Sequence, residues 1–105
     1  MATVRLSLPA QSDEAFIARD LTQKAGHRVA ANYVAQFQRL YERFGAFPES
    51  GAPRPKLGTH VRIGVVSPFT VAYRYDAETE TVLILRVIHG RRRLTRAMLL
   101  AGVET

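Results

Sequence analysis

Apolar and polar residues change period twice along this chain. From Thr3 to Pro9 they alternate, with Val4, Leu6 and Leu8 on one side and Thr3, Arg5 and Ser7 on the other. Period two predicts a half-buried strand, stopped by Pro9. Ser12 or Asp13 can then cap a helix whose apolar stripe is Phe16, Ile17, Ala18 and Leu21 and whose stop is Gly26. A second helix is expected from about Arg28 to Phe44, where Val29, Tyr33, Phe37, Leu40, Tyr41 and Phe44 recur at spacings of three and four. The short link at Gly26–His27 makes the two an antiparallel hairpin.

Gly45 to Gly58 is dense in Gly and Pro and reads as an ordered loop without repeating structure. Three strands follow: His60–Val66, Phe69–Asp76 after a Ser67-Pro68 turn, and Glu80–His89 after Ala77–Thr79. Short turns imply an antiparallel meander. Leu94–Gly102 can form a short final helix. The expected class is α+β: a helical hairpin on one face of a small antiparallel sheet that the first strand joins. Strict alternation sets Phe69, Val71, Tyr73 and Tyr75 opposite Thr70, Ala72, Arg74 and Asp76. It likewise sets Val82, Ile84, Arg86 and Ile88 opposite Leu83, Leu85, Val87 and His89. Arg74 and Arg86 then fall on the face the helices leave less covered.

Length and charge sharpen this picture. The 105 residues fit one domain, 1–105. The net charge of +6 is uneven. Residues 1–53 hold six basic and five acidic side chains, and residues 54–105 hold nine and four, so the excess lies in the second half. Without cysteine there is no disulfide and no thiolate metal site. The three histidines lack metal-ligand spacing, and no metal or other cofactor is expected. The opening alternation is not a secretory signal pattern, and no apolar run approaches a membrane span, so a cytoplasmic location is expected.

The most informative stretch is Leu83–Arg96, where a strand hydrophobic enough to be buried runs into His89-Gly90 and then four arginines within six residues. Positive charge so concentrated at one strand end suits an anion or an acidic partner. His89 is by residue type a candidate general acid or base, but closing the strand through a backbone hydrogen bond is its simpler role. Arg86, on an apolar strand, requires an acceptor, either within the fold or on a target. Arg91, Arg92 and Arg93 read as a binding edge. Arg54 and Lys56 read as loop surface, His27 and His60 as surface, and Tyr33 and Tyr41 as core. No phosphate loop, nucleophile elbow or carboxylate dyad is present.

The order β-α-α-β-β-β resembles the RelE/ParE toxin superfamily of bacterial type II toxin–antitoxin systems, closest to its ParE branch. The resemblance rests on Phe47-Pro48, Gly51-x-Pro53-Arg54-Pro55 with Leu57-Gly58, Ala72-Tyr73-Arg74, and Arg86-Val-Ile-His89-Gly90-x-Arg92, in order over nearly the whole chain. It implies a toxin that inhibits DNA gyrase and is neutralised by a cognate antitoxin through an acidic, partly helical segment that folds on binding. Phe16, Ile17, Leu21 and Val34 are then the candidate antitoxin contacts, in an apolar groove beside the hairpin and the sheet. Arg74, Arg86, His89, Arg91, Arg92 and Arg93 are the candidate target contacts. The alternative within the superfamily is a RelE-like, ribosome-dependent mRNA endoribonuclease, for which Arg92, His89 and Arg86 would be the catalytic candidates. The chain departs from that pattern: Thr70, Val61, Ile63 and Met98 stand where basic residues and a late tyrosine are expected, and only Arg92 matches. Whether the chain is an enzyme stays open, with catalysis the less favoured case. A third possibility is a small basic nucleic-acid-binding module without toxicity.

Overall fold

The computed structural model describes residues 1–103. Strand β1 (Thr3–Leu6) is followed by helices α1 (Leu8–Ala25) and α2 (His27–Ala46). A two-residue strand β2 (Ala52–Pro53) and a single 3-10 turn (Pro55–Leu57) lead into β3 (Val61–Val66), β4 (Phe69–Asp76), β5 (Thr81–His89) and α3 (Arg96–Val103). The five strands form one sheet in the order β1-β5-β4-β3-β2.

The α+β architecture agrees with expectation, but the sheet is mixed. β3, β4 and β5 form the antiparallel meander, whereas β1 runs parallel to β5, from Thr3 opposite Thr81 to Leu6 opposite Ile84. Nor does Pro9 end a strand. Ser7 caps α1 instead: its Oγ accepts from the Ala10 N–H at 3.1 Å and donates to the Leu85 carbonyl at 2.9 Å. Pro9 then sits in the first turn, where its missing N–H costs nothing. Neither Ser12 nor Asp13 is the cap, and Leu8, expected to point inward with Val4 and Leu6, is 62% exposed at the helix start.

One residue, Gly26, both ends α1 and starts α2, with φ of 93° in the region that glycine tolerates best. Against the sheet, Phe37 and Tyr33 pack edge-on to Phe69, and Phe44 stacks on Tyr73 with centroids 3.9 Å apart. The main core joins these rings to Val71, Val82, Ile84 and Val87. The Gly45–Gly58 connector is more regular than a bare loop. The Tyr73 hydroxyl donates to the Pro48 carbonyl and accepts the Gly51 N–H, Arg62 donates to the Glu49 and Gly51 carbonyls, and Ala52–Pro53 pairs with β3.

A bulge breaks the alternation in β5. Ala72 faces Arg86 but Tyr73 faces Ile84, so Leu85 is the extra residue. Ile84 and Val87 consequently both face the hairpin, and Leu83 and Leu85 face the other side. There a second, smaller core forms from Val61, Ala72, Leu85 and Leu99 of α3, with Leu57, Ile63, Leu83 and Leu94 packed against it. Both sheet faces therefore carry apolar cover, which leaves Asp76 as the only exposed residue of β4 and β5.

Candidate functional site: the basic end of the last strand

Because β1 stops opposite Ile84, the outer edge of β5 has no strand beside it from Leu85 to His89. Side chains from α1 take over. Ser7 donates its N–H to the Ile84 carbonyl and its hydroxyl to the Leu85 carbonyl, and Asp13 Oδ2 accepts the Val87 N–H at 2.9 Å. The same carboxylate takes Arg86 in a two-point contact, Nε at 2.7 Å and Nη2 at 2.9 Å. Both side chains are largely buried, 16% and 13% exposed. The contact with Asp13 raises the Arg86 pKa against the opposing effect of burial. Of the two roles open to Arg86, its guanidinium is committed to pairing within the fold.

At the strand end His89 is half-buried, its ring edge-on to Phe69, and its Nδ1 accepts the Arg91 N–H at 3.1 Å. The His89 carbonyl accepts the Arg92 N–H, and the Gly90 N–H donates to the Pro68 carbonyl at 2.7 Å. This tight turn presents Arg91, Arg92 and Arg93 to solvent, and among the described residues none of the three has an ion-pair partner.

Between α1 and this strand end lies a cleft of about 310 Å³ lined by Asp13, Phe16, Ile17, Asp20, Phe69, Val87, Ile88, His89 and Arg92. It brings together residues that sequence assigned to two purposes: Phe16 and Ile17 as antitoxin contacts, His89 and Arg92 as target contacts. Phe16 is 61% exposed, whereas Ile17 is buried. Leu21 packs on the main core, and neither it nor half-buried Val34 of α2 lines this cleft.

Arg74 is placed elsewhere. It lies opposite Val61 and Leu83, five residues along β4 from the Phe69 that pairs with His89. That separation is roughly 17 Å along an extended strand. Arg74 shares a second cleft with Arg96, the first residue of α3. The sequence offered Asp13 only as a helix cap and Arg96 only as one of four clustered arginines, and it left out Asp20 and Thr59, because these roles depend on register and on where α1 begins. Only the apolar strand carrying Arg86 announced that a buried acid was needed.

Of the positions where an RNase of this fold is expected to carry basic groups, Val61 and Ile63 belong to the second core under α3. Among the described residues no three of His, Cys, Asp and Glu gather as a metal site, and no helix is long and apolar enough to cross a membrane.

The sequence pattern described as "ParE toxin of type II toxin-antitoxin system, parDE" matches residues 4–94. Toxin ParE3 of Caulobacter vibrioides is 32% identical over 94 residues, covering 90% of this chain and 92% of its own. Among solved structures, the chromosomal ParDE toxin–antitoxin system of P. aeruginosa superposes with a TM-score of 0.71 at 21% identity, covering 85% of this chain and 96% of the other. The RelBE2 toxin–antitoxin complex of Mycobacterium tuberculosis gives 0.58 at 28% identity, covering 84% and 90%. The chain belongs to the ParE toxin family of type II toxin–antitoxin systems.

Proposed function

We propose that this toxin acts in the cytoplasm, as one domain, by binding and inhibiting DNA gyrase through its basic edge rather than by catalysis of its own. The carrying observation is chemical. An RNase of this fold must activate a ribose hydroxyl, stabilise a phosphorane and protonate a leaving oxygen. Here Val61 and Ile63 are built into an apolar core, and Thr70 and Met98 offer no proton-transfer group. Arg91, Arg92 and Arg93, by contrast, are exposed, and their side chains have no ion-pair partner among the described residues.

The cognate antitoxin is proposed to lay an acidic, partly helical segment over the same strand end, with an apolar side chain against Phe16. One partner would then cover both the cleft and the arginines, silencing the toxin by occupying its working surface.

Growth arrest on induced expression tests this, comparing wild type, His89→Ala and the triple variant Arg91→Ala/Arg92→Ala/Arg93→Ala, alongside gyrase supercoiling and ribosome-dependent cleavage assays. The expected result is arrest and gyrase inhibition by wild type, both abolished in a folded triple variant. Arrest lost in a folded His89→Ala, together with mRNA cleavage by wild type, would replace gyrase with the ribosome. Intact arrest by the triple variant would put the working surface elsewhere.

A further inference from the structure

On the sheet face away from the hairpin, Arg74 of β4 and Arg96 of α3 line one cleft of about 150 Å³. Its walls are Leu57, Val61, Leu85, Leu99 and Leu100, and Thr59 adds a hydroxyl at the rim. Among the described residues no carboxylate lines it. Among the described residues neither guanidinium has a hydrogen-bonded or ion-paired acceptor. Two cations on apolar walls repel each other more than they would in open water, and an anion between them relieves that repulsion. Carboxylates do stand nearby, in an adjoining cleft that shares Thr59 and Arg74 and is lined also by Glu49, Asp76 and Glu78. Asp76 there is engaged by the N–H groups of Glu78 and Thr79 in its own turn. Arg74 thus borders an acidic cleft and a basic one, and the basic one lies toward α3. The first turn of α3 holds no acidic residue, and its dipole adds to the positive field.

We propose that this cleft binds a phosphate of a nucleic-acid backbone, held by Arg74 and Arg96, with Arg91, Arg92 and Arg93 continuing the contact along the same strand. Three features suit a phosphodiester, and the poly-glutamate arm of the test below separates it from an acidic peptide. Guanidinium forks match phosphate oxygens in two-point contacts. The cleft is small enough for one compact anion. Arg74 and Arg96 in the cleft, with Arg91, Arg92 and Arg93 at the end of β5, then offer five separated cations of the kind a backbone of regularly spaced phosphates satisfies together. The choice of duplex DNA as the nucleic acid rests on the gyrase reading, since gyrase works on duplex DNA. On this basis the toxin contacts DNA as well as protein in its target complex.

The test is fluorescence anisotropy of a labelled DNA duplex with the purified toxin across 50 to 200 mM salt. Arg74→Ala/Arg96→Ala is compared with the charge-matched Arg28→Ala/Arg39→Ala, which removes two exposed arginines from α2. Loss of two phosphate contacts should lower the slope of log affinity against log salt by about 1.8 and weaken binding at least tenfold, against less than threefold for the α2 pair. Equal losses in both pairs would mean attraction by net charge alone and overturn the proposal. So would undiminished binding by the Arg74/Arg96 pair, or a poly-glutamate peptide bound more tightly than DNA through the same two arginines. Should the double variant melt lower than wild type, Arg96→Gln, at an exposed position, gives the same readout with a slope change of about 0.9. Supercoiling assays on the same proteins separate the two ideas. Gyrase inhibition without DNA binding defeats the phosphate site alone, and DNA binding without gyrase inhibition defeats the gyrase reading alone.

Discussion

Asp13 and Arg86, distant in sequence, meet in a two-point ion pair at 2.7 and 2.9 Å, and the same carboxylate accepts the Val87 N–H. Helix α1 is thereby fastened to the part of β5 that β1 does not reach. Removing one partner leaves the other charged, largely desolvated and unpaired. Asp13→Ala and Arg86→Ala should each cost about 3 kcal/mol or more, lowering the melting temperature by more than about 10 °C in a domain of this size. Asp13→Leu/Arg86→Met should recover much of that loss. Thermal melts of the four proteins check it. A melting temperature unchanged in Arg86→Ala would show that this arginine is free for a target.

Gly51 is required by what lies over it. A Cβ there would sit 2.6 Å from the Tyr73 ring and hydroxyl and 2.7 Å from the Ile63 carbonyl. Gly51→Ala should therefore expel Tyr73 from its place under the Pro48–Gly51 turn and cost about 2 kcal/mol or more. Gly26→Ala meets no atom within 4 Å and suffers only from its φ of 93°, a cost nearer 1 kcal/mol. Urea denaturation of both variants gives the comparison. Similar losses would mean that the turn yields more easily than its hydrogen bonds suggest.

The helices and the meander were legible because each has a clean period: three and four through α2, two through β4. What failed did so locally. Pro9 after an alternating run looks like a strand stop, yet with Ser7 available as a cap it fits a first helical turn just as well, and only the bonds of Ser7 to Ile84 and Leu85 decide between them. The bulge at Leu85 leaves no trace in a run of Leu, Ile and Val, so the face assignment beyond it came out reversed. The parallel pairing of β1 is invisible for a related reason: nothing within four residues says which strand they will join. At the site, the exposed arginines were readable because charge density needs no register. The partner of Arg86 and the meeting of Arg74 with Arg96 were not, since both depend on tertiary placement.

Phe16 and Ile17 are neighbours with different expected fates. Ile17 is 7% exposed and belongs to the main core, so Ile17→Ala should cost about 2–4 kcal/mol of stability. Phe16 is 61% exposed at the cleft mouth, so Phe16→Asp should leave the melting temperature within a few degrees of wild type. If the antitoxin seats an apolar side chain there, the same change should weaken its capture at least tenfold, the loss expected when a central aromatic contact is removed. Titration calorimetry with the product of the adjacent gene decides. Undiminished affinity in Phe16→Asp would move the antitoxin off this cleft.

Two buried tyrosines should weaken the fold at alkaline pH. The Tyr41 hydroxyl donates to Glu14 at 2.7 Å, and burial first, then that carboxylate, push its pKa well above the ordinary value. Burial likewise raises Tyr73. Ionisation is thus easier in the unfolded chain, where a tyrosine titrates near pH 10. The folded state therefore keeps protons that the unfolded state gives up. Stability from these groups is fully present below about pH 10 and is lost as pH rises above it, by up to about 1.4 kcal/mol per pH unit for each tyrosine. Tyr41→Phe removes one such proton. It should be less stable than wild type at pH 7, by about 1 kcal/mol for the lost hydrogen bond, yet decline more shallowly above pH 10, so that the two curves converge. Urea midpoints between pH 8 and 11 measure both slopes. Parallel curves would mean that Tyr41 ionises in the folded protein as readily as in the unfolded chain, and that its bond to Glu14 does not hold the proton in place.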